Sequence, residues 1–186
     1  MVVLALQEVS VLPLPHESRP DLRHIISDES ALKSVEIRYS VADQLVIFRA
    51  SGAVFVQSTK QNVSLVPTCK GKVAPADVRR LLVTILDTQV FDLPRNSYLM
   101  LNGDLRDWRE LQMHSISVHT AEGALDRSFA AGKIGGKQQE IPKKFAAMET
   151  AILELKAEAI PEGKPCTLTL APPLWTNDRP TPSTVP

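Results

Sequence analysis

The clearest pattern of apolar and polar positions lies between residues 75 and 94. Its apolar positions recur three and four residues apart and are Val78, Leu81, Leu82, Ile85 and Leu86. This spacing predicts an amphipathic helix whose apolar stripe faces the core. Pro75 suits the first helical turn, and Pro94 disfavours helical geometry in the residue before it, so the helix is expected to end by residue 93.

Strand patterns precede this helix. Period-two alternation or a high content of β-branched and aromatic residues marks residues 35–39, 44–49, 53–56 and 62–66. Gly52 stands between the second and third stretches, and it predicts a hairpin turn there because glycine accepts positive φ. The fourth stretch is expected to continue the meander until Pro67 ends it.

Two further strands and a second helix are predicted in the second half of the chain. Residues 114–119 alternate strictly, and a turn at residues 122–123 leads into another strand at 125–129. Residues 132–137 contain three glycines and predict a flexible connection. Pro142 then opens a helix that ends by Pro161, and its apolar positions are Phe145, Met148, Ile152 and Leu155.

The parity of apolar positions changes near His114. Leu111 and Met113 stand at odd positions, whereas Ile116 and Val118 stand at even ones. A bulge near His114, or burial of this strand on both faces, would account for the change. His114 shares the apolar parity of Ile116 and Val118, so we expect a hydrogen-bonded interior or edge histidine there rather than a catalytic base.

These elements predict an α+β fold in the order β-β-(β)-α-β-β-α. Two hairpins, the first extended into a meander, form an antiparallel sheet, and two helices pack on one of its faces. Ten of the 14 prolines lie in the first 30 or the last 26 residues. We therefore divide the chain into an extended proline-containing flank (1–31), an α+β core domain (32–160) and a proline-rich tail (161–186).

The pattern resembles an uncharacterised family of small bacterial α+β domains. The resemblance covers about residues 35–155 and is carried by the hairpin with Gly52 at its tip, the helix from Pro75-Ala76-Asp77-Val78 through Leu81-Leu82 to Phe91-Asp92-Leu93, the strand around Ile116 and Val118, and the Ile141-Pro142-x-x-Phe145 entry to the last helix. It implies a fold but no activity, because none is established for that family. This chain lacks the export signal and the cysteine-bearing first strand that many members show.

Composition and charge narrow the function classes. The 186 residues are 44% hydrophobic, which suffices for one core. Lys+Arg and Asp+Glu are equal at 21 each, so the electrostatic argument for general nucleic-acid binding is absent. We find no secretory signal pattern and no window of the roughly 20 apolar residues that a transmembrane helix needs. We therefore expect a cytoplasmic protein, either free or peripheral on a membrane complex.

The two cysteines, Cys69 and Cys166, allow a single pairing between the core and the C-terminal tail. A cytoplasmic chain keeps its thiols reduced, so we expect both cysteines to be free thiols. Neither cysteine has a CxxC partner or a nearby histidine, so we expect no metal site there.

No catalytic constellation emerges from the motifs. Residues 132–137 depart from a Walker A loop in glycine spacing and in the residue that follows the lysine. A histidine and a serine that are adjacent along a strand, such as His114 and Ser115, point to opposite faces. An acidic run contains Asp104, Asp107 and Glu110, but its spacing does not match that of a calcium-binding loop. We therefore expect no cofactor, no metal and no enzymatic activity.

The C-terminal tail carries the prediction of a partner. Its Thr-Leu-Thr-Leu run at residues 167–170 would add a strand to the domain's own edge or to a neighbour, and the apolar residues that follow would anchor in a pocket. A basic patch near the start of the last helix is typical of a solvated surface, and its alternative interpretation is a second docking surface for an acidic partner or lipid headgroups. The candidate partner-binding residues are therefore Leu168, Leu170, Leu174, Trp175, Lys143 and Lys144.

These observations lead to one expected function and one alternative. We expect a non-catalytic accessory subunit that docks onto a larger protein assembly, such as a membrane-associated one, through its extended termini. The alternative is a module that binds a small molecule or a lipid. Its pocket would lie on the sheet face opposite the helices or under the segment 95–110. An enzyme has the least support.

Overall fold

The computed structural model describes residues 20–59, 65–93, 111–134 and 137–170. The helices of these residues are α1 (Leu22–Ser27), α2 (Glu29–Leu32), α3 (Pro75–Thr88) and α4 (Lys143–Ala159), with a short 3-10 helix at Val90–Asp92. The strands are β1 (Glu36–Val41), β2 (Gln44–Arg49), β3 (Ala53–Ser58), β4 (Leu65–Lys72), β5 (Leu111–Thr120), β6 (Gly123–Ile134), β7 (Lys137–Gln139) and β8 (Thr167–Leu170). Together they form one antiparallel sheet packed against helices, so the predicted α+β class is confirmed.

The eight described strands lie in the order β7-β6-β5-β1-β2-β3-β4-β8, and each neighbouring pair is antiparallel. β1 lies between β2, its hairpin partner, and β5, which returns to the sheet after α3. Ile37 of β1 is therefore opposite Phe48 of β2 on one side and Val118 of β5 on the other. All three side chains are completely buried or nearly so, and they form the centre of the core.

The helices of the described chain cover one face of the sheet, which we call the helix face. α4 crosses it so closely that a Cβ on Gly71 of β4 would lie 2.3 Å from the carbonyl oxygen of Ala159. Phe129 of β6 packs edge-on against Phe145 of α4, with ring centroids 4.9 Å apart. The core cluster contains residues from α1, α3, α4 and this face, so these helices and the sheet share one core.

The amphipathic stripe of α3 behaves as its spacing predicts. Val78, Leu81, Leu82 and Ile85 are buried, and Leu86 is half-buried against the same core. Pro75 begins the helix, where its missing N–H costs no hydrogen bond. The helix ends at Thr88, and the capping residue Gln89 adopts the left-handed conformation.

The Gly52 hairpin is confirmed and has a second physical reason. Gly52 has φ of +85°, a conformation that glycine adopts without steric cost. A Cβ at this position would lie 2.2 Å from the carbonyl oxygen of Val73. The absence of a side chain at Gly52 therefore also allows the backbone that follows β4 to pass close to the turn between β2 and β3.

The expected end of the meander at Pro67 is wrong, because β4 runs through this proline to Lys72. The β3–β4 ladder stops at the pair of Gln57 with Thr68, so Pro67, the residue before Thr68, lies outside it. Pro67 thus stands where the ladder with β3 no longer requires a backbone N–H, and this position makes the proline compatible with the strand.

Two expectations for the second half of the chain also change. β5 pairs with β6 without a break from Leu111 to Thr120, so there is no bulge near His114 and the alternative of burial on both faces fits better. Met113 is half-buried on the face opposite His114. The expected flexible connection at residues 132–137 instead forms the end of β6 and the start of β7, outside the undescribed residues 135–136.

The flanks contain regular structure in their described parts. Residues 22–27 and 29–32 are helical rather than extended, and Leu22 and Ile25 are buried in the core. Asp21 caps α1 by accepting a hydrogen bond from the backbone N–H of Arg23. In the tail, residues 167–170 form β8. The domain limits of 31/32 and 160/161 stay a prediction, but the described element order is α-α-β-β-β-β-α-β-β-β-α-β instead of β-β-(β)-α-β-β-α.

Replacing Leu82 with alanine should lower the free energy of unfolding by about 2 to 5 kcal/mol, because its side chain is completely buried and its loss leaves a cavity. Val83, the next residue on α3, is 38% exposed, so Val83→Ala should cost no more than about 0.5 kcal/mol. Urea unfolding of both variants measures the difference. Equal losses of stability in the two variants would contradict the assignment of Leu82 to the buried side of α3.

Candidate functional site

The Thr-Leu-Thr-Leu run forms the terminal strand of the sheet. β8 pairs with β4 from Thr68 opposite Thr167 to Leu65 opposite Leu170. Of the two alternatives for this run, addition to the domain's own edge is therefore the one observed. Within the described residues no strand pairs with the other side of β8.

Three apolar residues lie together at this edge, and we call Leu65, Pro67 and Leu168 the edge patch. Leu168 is opposite Pro67, and Leu65 lies two residues before Pro67 on β4, so all three side chains share one face. This is the helix face, because Cys69 and Gly71 of the same parity contact the core and the end of α4. Leu168 is 67% exposed and Leu65 is 51% exposed, which is unusual for leucines on a packed face.

A disulfide joins β8 to the sheet. Cys69 and Cys166 continue the register one pair beyond Thr68 and Thr167, with a Cα–Cα distance of 4.3 Å. This distance fits a directly opposed, non-hydrogen-bonded antiparallel pair. The expectation of free thiols is therefore wrong, and β8 is held by both a backbone ladder and a covalent bond that closes 97 residues of sequence.

The other predicted partner-binding residues are not assembled around the edge patch. Leu170 belongs to β8 by its backbone, and its side chain lies outside the described structure, as do Leu174 and Trp175. Lys143 and Lys144 are exposed at the start of α4.

The two lysines are remote from the edge patch, because α4 approaches β4 with its opposite end. From Lys143 to Ala159 the helix rises about 24 Å at 1.5 Å per residue. Lys144 donates a hydrogen bond from Nζ to Oε1 of Gln89, at 2.9 Å. The structure thus separates the predicted basic patch from the predicted apolar anchor.

His114 belongs to a buried polar cluster on the helix face. Its Nδ1 lies 2.7 Å from Oε1 of Glu149 on α4, and Tyr39 donates a hydrogen bond to the same carboxylate oxygen. Burial raises the pKa of Tyr39 far above its ordinary value, and the neighbouring Glu149 raises it further. The cluster joins β1, β5 and α4, which agrees with the predicted hydrogen-bonded interior histidine. The acidic run at residues 104–110 lies outside the described residues.

A pocket of about 570 Å³ lies on the opposite face of the sheet, which we call the far face. The residues that line it belong to β1, β2, β5 and β6 and include Arg38, Ser40, Leu45, Ser115, Ser117, His119, Ala124, Asp126 and Ser128. They stand in cross-strand rows, with Ser40, Ser115 and Ser128 in one and Arg38, Ser117 and Asp126 in the next. The pairing of β1 with β5 is what brings the two halves of each row together.

Short-range hydrogen bonds order the side chains of this pocket. The Oγ atoms of Ser115 and Ser128 are 2.8 Å apart, and Oγ of Ser117 lies 3.1 Å from Nε2 of His119. Ser117 and His119 are two residues apart on one strand and therefore share a face, unlike a serine and a histidine that are adjacent along a strand.

Ion pairs frame the same pocket. Glu36 accepts from Nε of Arg38 at 2.6 Å and from Nε of Arg49 at 3.0 Å. Burial alone would raise the pKa of Glu36, but the hydrogen bonds and charges of the two arginines outweigh it and hold the pKa below its ordinary value. Burial, followed by the charge of Arg38, lowers the pKa of His119, and the nearby carboxylates only partly oppose this shift. His119 is therefore neutral at pH 7.

Neither a metal site nor a membrane-spanning helix is found within the described ranges. No group of three or more His, Cys, Asp and Glu side chains there is placed to hold a metal ion. None of the described helices combines the length and the apolar character that crossing a membrane requires.

Comparison with known proteins adds no relationship. No protein-family model matches the chain, and the search of curated proteins returned no significant match. The resemblance stated from the sequence thus stays a prediction. A function for this protein therefore has to be inferred from the geometry of the edge patch and the far-face pocket.

Removing the disulfide with the double change Cys69→Ala and Cys166→Ala should lower the free energy of unfolding by about 2 to 5 kcal/mol, because the bond closes a long loop. Guanidinium unfolding with and without reductant measures this loss. Reductant should destabilise the parent protein and leave the double variant unchanged. Labelling of two free thiols in the unreduced native protein would contradict the assignment.

Glu36→Gln should make the free energy of unfolding less dependent on pH in the acidic range. A carboxyl whose folded pKa is lowered contributes stability that is fully present above its ordinary pKa of 4.5 and is lost as the pH falls through the folded pKa. The free energy of unfolding of the parent should therefore exceed that of the variant at neutral pH, and the gap should shrink as the pH falls below 4.5. Urea unfolding over this pH range tests the effect, and a gap that widens in acid would contradict it.

Proposed function

We propose that the protein is a non-catalytic accessory subunit that docks onto a larger protein assembly through the β4–β8 edge. The observation that carries the proposal is the exposure of Leu168, at 67%, on a strand that is covalently fixed to the sheet. An exposed apolar residue on a mobile segment would lose conformational entropy on binding, whereas a fixed one loses less.

The geometry of β8 supports strand addition as the docking mode. Since Cys69 and Cys166 fit a non-hydrogen-bonded pair, Leu168, two residues further, has its backbone N–H and C=O directed away from β4. An extended segment of the partner would pair with these groups. Apolar side chains at alternate positions of that segment would then cover Leu168 and Leu65 of the edge patch.

The disulfide also bears on where such an assembly works. Disulfides persist in oxidising compartments and are rare in reducing cytosol. The pair Cys69–Cys166 therefore favours an oxidising location for the assembly over the cytoplasmic location expected from the sequence. Fractionation of the native cells would distinguish these locations.

The docking proposal predicts that Leu168→Lys weakens binding of the partner at least about ten-fold, because a charged side chain would be buried in the contact. Leu153→Lys is the matched control, since Leu153 is 39% exposed on α4 and outside the edge patch. Quantitative co-purification measures partner binding by the two lysine variants. In separate proteins, a photo-activatable residue at position 168 or 153 maps the contact. Cross-links should form from position 168 and not from position 153.

Amide exchange gives a second, independent measurement. The backbone N–H of Leu168 should exchange more slowly in the complex than in the isolated protein, because strand addition gives it an acceptor. Thr167 and Thr169 already face β4, so their exchange should change less. Equal cross-linking from both positions, or unchanged exchange at Leu168, would reject docking at this edge.

A second function, binding of a small molecule, has support from the far-face pocket. The pocket of about 570 Å³ combines a buried apolar side chain, Leu45, with several convergent polar groups. Clefts of a few hundred Å³ with this mixture are typical of ligand sites. It lies over β1, β2, β5 and β6, whereas the edge patch lies on β4 and β8, so the two functions are compatible.

A further inference from the structure

We propose that the far-face pocket binds a neutral polyhydroxylated molecule, a sugar or polyol; this inference rests on the second function proposed above. The pocket brings four serine hydroxyls, Ser40, Ser115, Ser117 and Ser128, to one surface together with an imidazole, a guanidinium and a carboxylate. Sugar hydroxyls both donate and accept hydrogen bonds, so a site for them needs donors and acceptors interleaved.

The hydroxyl pairs retain capacity for a ligand after their internal bonds are made. In the contact between Ser115 and Ser128, one hydroxyl donates and the other accepts. The second O–H donor and all the remaining oxygen lone pairs are left for a ligand. The contact between Ser117 and His119 likewise leaves further lone pairs on the serine oxygen. A bound hydroxyl would therefore extend these two pairs without breaking them.

The charges that line the pocket balance, which disfavours an ionic ligand. Arg38 and Asp126 are neighbours of Ser117 on its two sides, so an anion drawn to one would approach the other sign at the same row. Glu36, which pairs with Arg38 and Arg49, and neutral His119 add no net positive charge. A neutral molecule avoids this conflict, since like charges in proximity are destabilising.

Apolar surface completes the match. Leu45 is 5% exposed and lines the pocket beside Ser40, its cross-strand partner, and Ala124 lines the side formed by β6. The C–H face of a sugar ring would lie against Leu45 while its hydroxyls reach Ser40 and Ser115 in the same cross-strand row. This mixture does not suit a lipid chain, for which the serine rows would remain unpaired on burial.

The test is a titration followed by backbone amide shifts in two-dimensional NMR spectra of the full chain. The neutral probes are glucose, galactose, mannose, N-acetylglucosamine and maltose, and the controls are glucuronate, glucosamine and lysophosphatidylcholine. At least one neutral sugar should shift the amides of Ser115, Ser117 and Ser128, with Kd on the order of 1 mM. Ser117→Ala should weaken that binding about ten-fold or more, and Gln57→Ala, on the far face but outside the pocket lining, should leave it unchanged.

The outcomes distinguish a failure of the sugar assignment from a failure of the proposed small-molecule binding. Tighter binding of glucuronate, glucosamine or the lipid at the pocket would overturn the sugar assignment and leave ligand binding standing. Shifts from no probe would overturn both. Asp126→Asn removes the negative charge of the central row, so this variant should gain affinity for glucuronate relative to glucose; failure to do so would contradict the charge argument.

Discussion

The pairing of β5 with β1 is the contact on which the rest of the structure depends. It joins two antiparallel units, β1 to β4 with β8 and β5 to β7, into one sheet. On the helix face it sets Tyr39 beside Ile116, both buried, and brings His114 within reach of Glu149 on α4. On the far face the same register sets Arg38 beside Ser117, so the core and the pocket come from one set of backbone hydrogen bonds.

Local features of the sequence predict the elements whose stability is decided within a few residues. The stripe of α3, which includes fully buried Ile85, follows from helical spacing alone. Gly52 predicts its turn because positive φ is a property of one residue. The wrong prediction at Pro67 also reflects the limits of local information. Propensity predicts that a proline interrupts a strand, but whether β4 can contain Pro67 depends on where its ladder with a neighbouring strand ends, and residues distant along the chain decide this.

The candidate sites depend on neighbours that are distant along the chain. Period-two alternation already places Ser117 and His119 on one face, but which strand supplies Arg38 beside them follows only from the β1–β5 pairing. The exposure of Leu168 can be predicted from the sequence, because Leu168 is an apolar residue in a proline-rich tail. Its proximity to Leu65 cannot, because it arises only when β8 pairs with β4. The error over Cys69 has another source, since the sequence allows the single pairing and only the expected compartment argues against it.

The disulfide changes the physical meaning of the terminal strand. A four-residue strand contributes few ladder bonds, and an edge strand of this length would be expected to fray. The link from Cys166 to Cys69 is adjacent to the first pair of that ladder, so opening of β8 is confined to a short segment. This confinement keeps Leu168 next to Pro67 and Leu65, and the edge patch persists as a surface without help from a partner. An apolar surface that is held in place before binding loses less conformational entropy when it is covered than the same side chains on a mobile segment would lose.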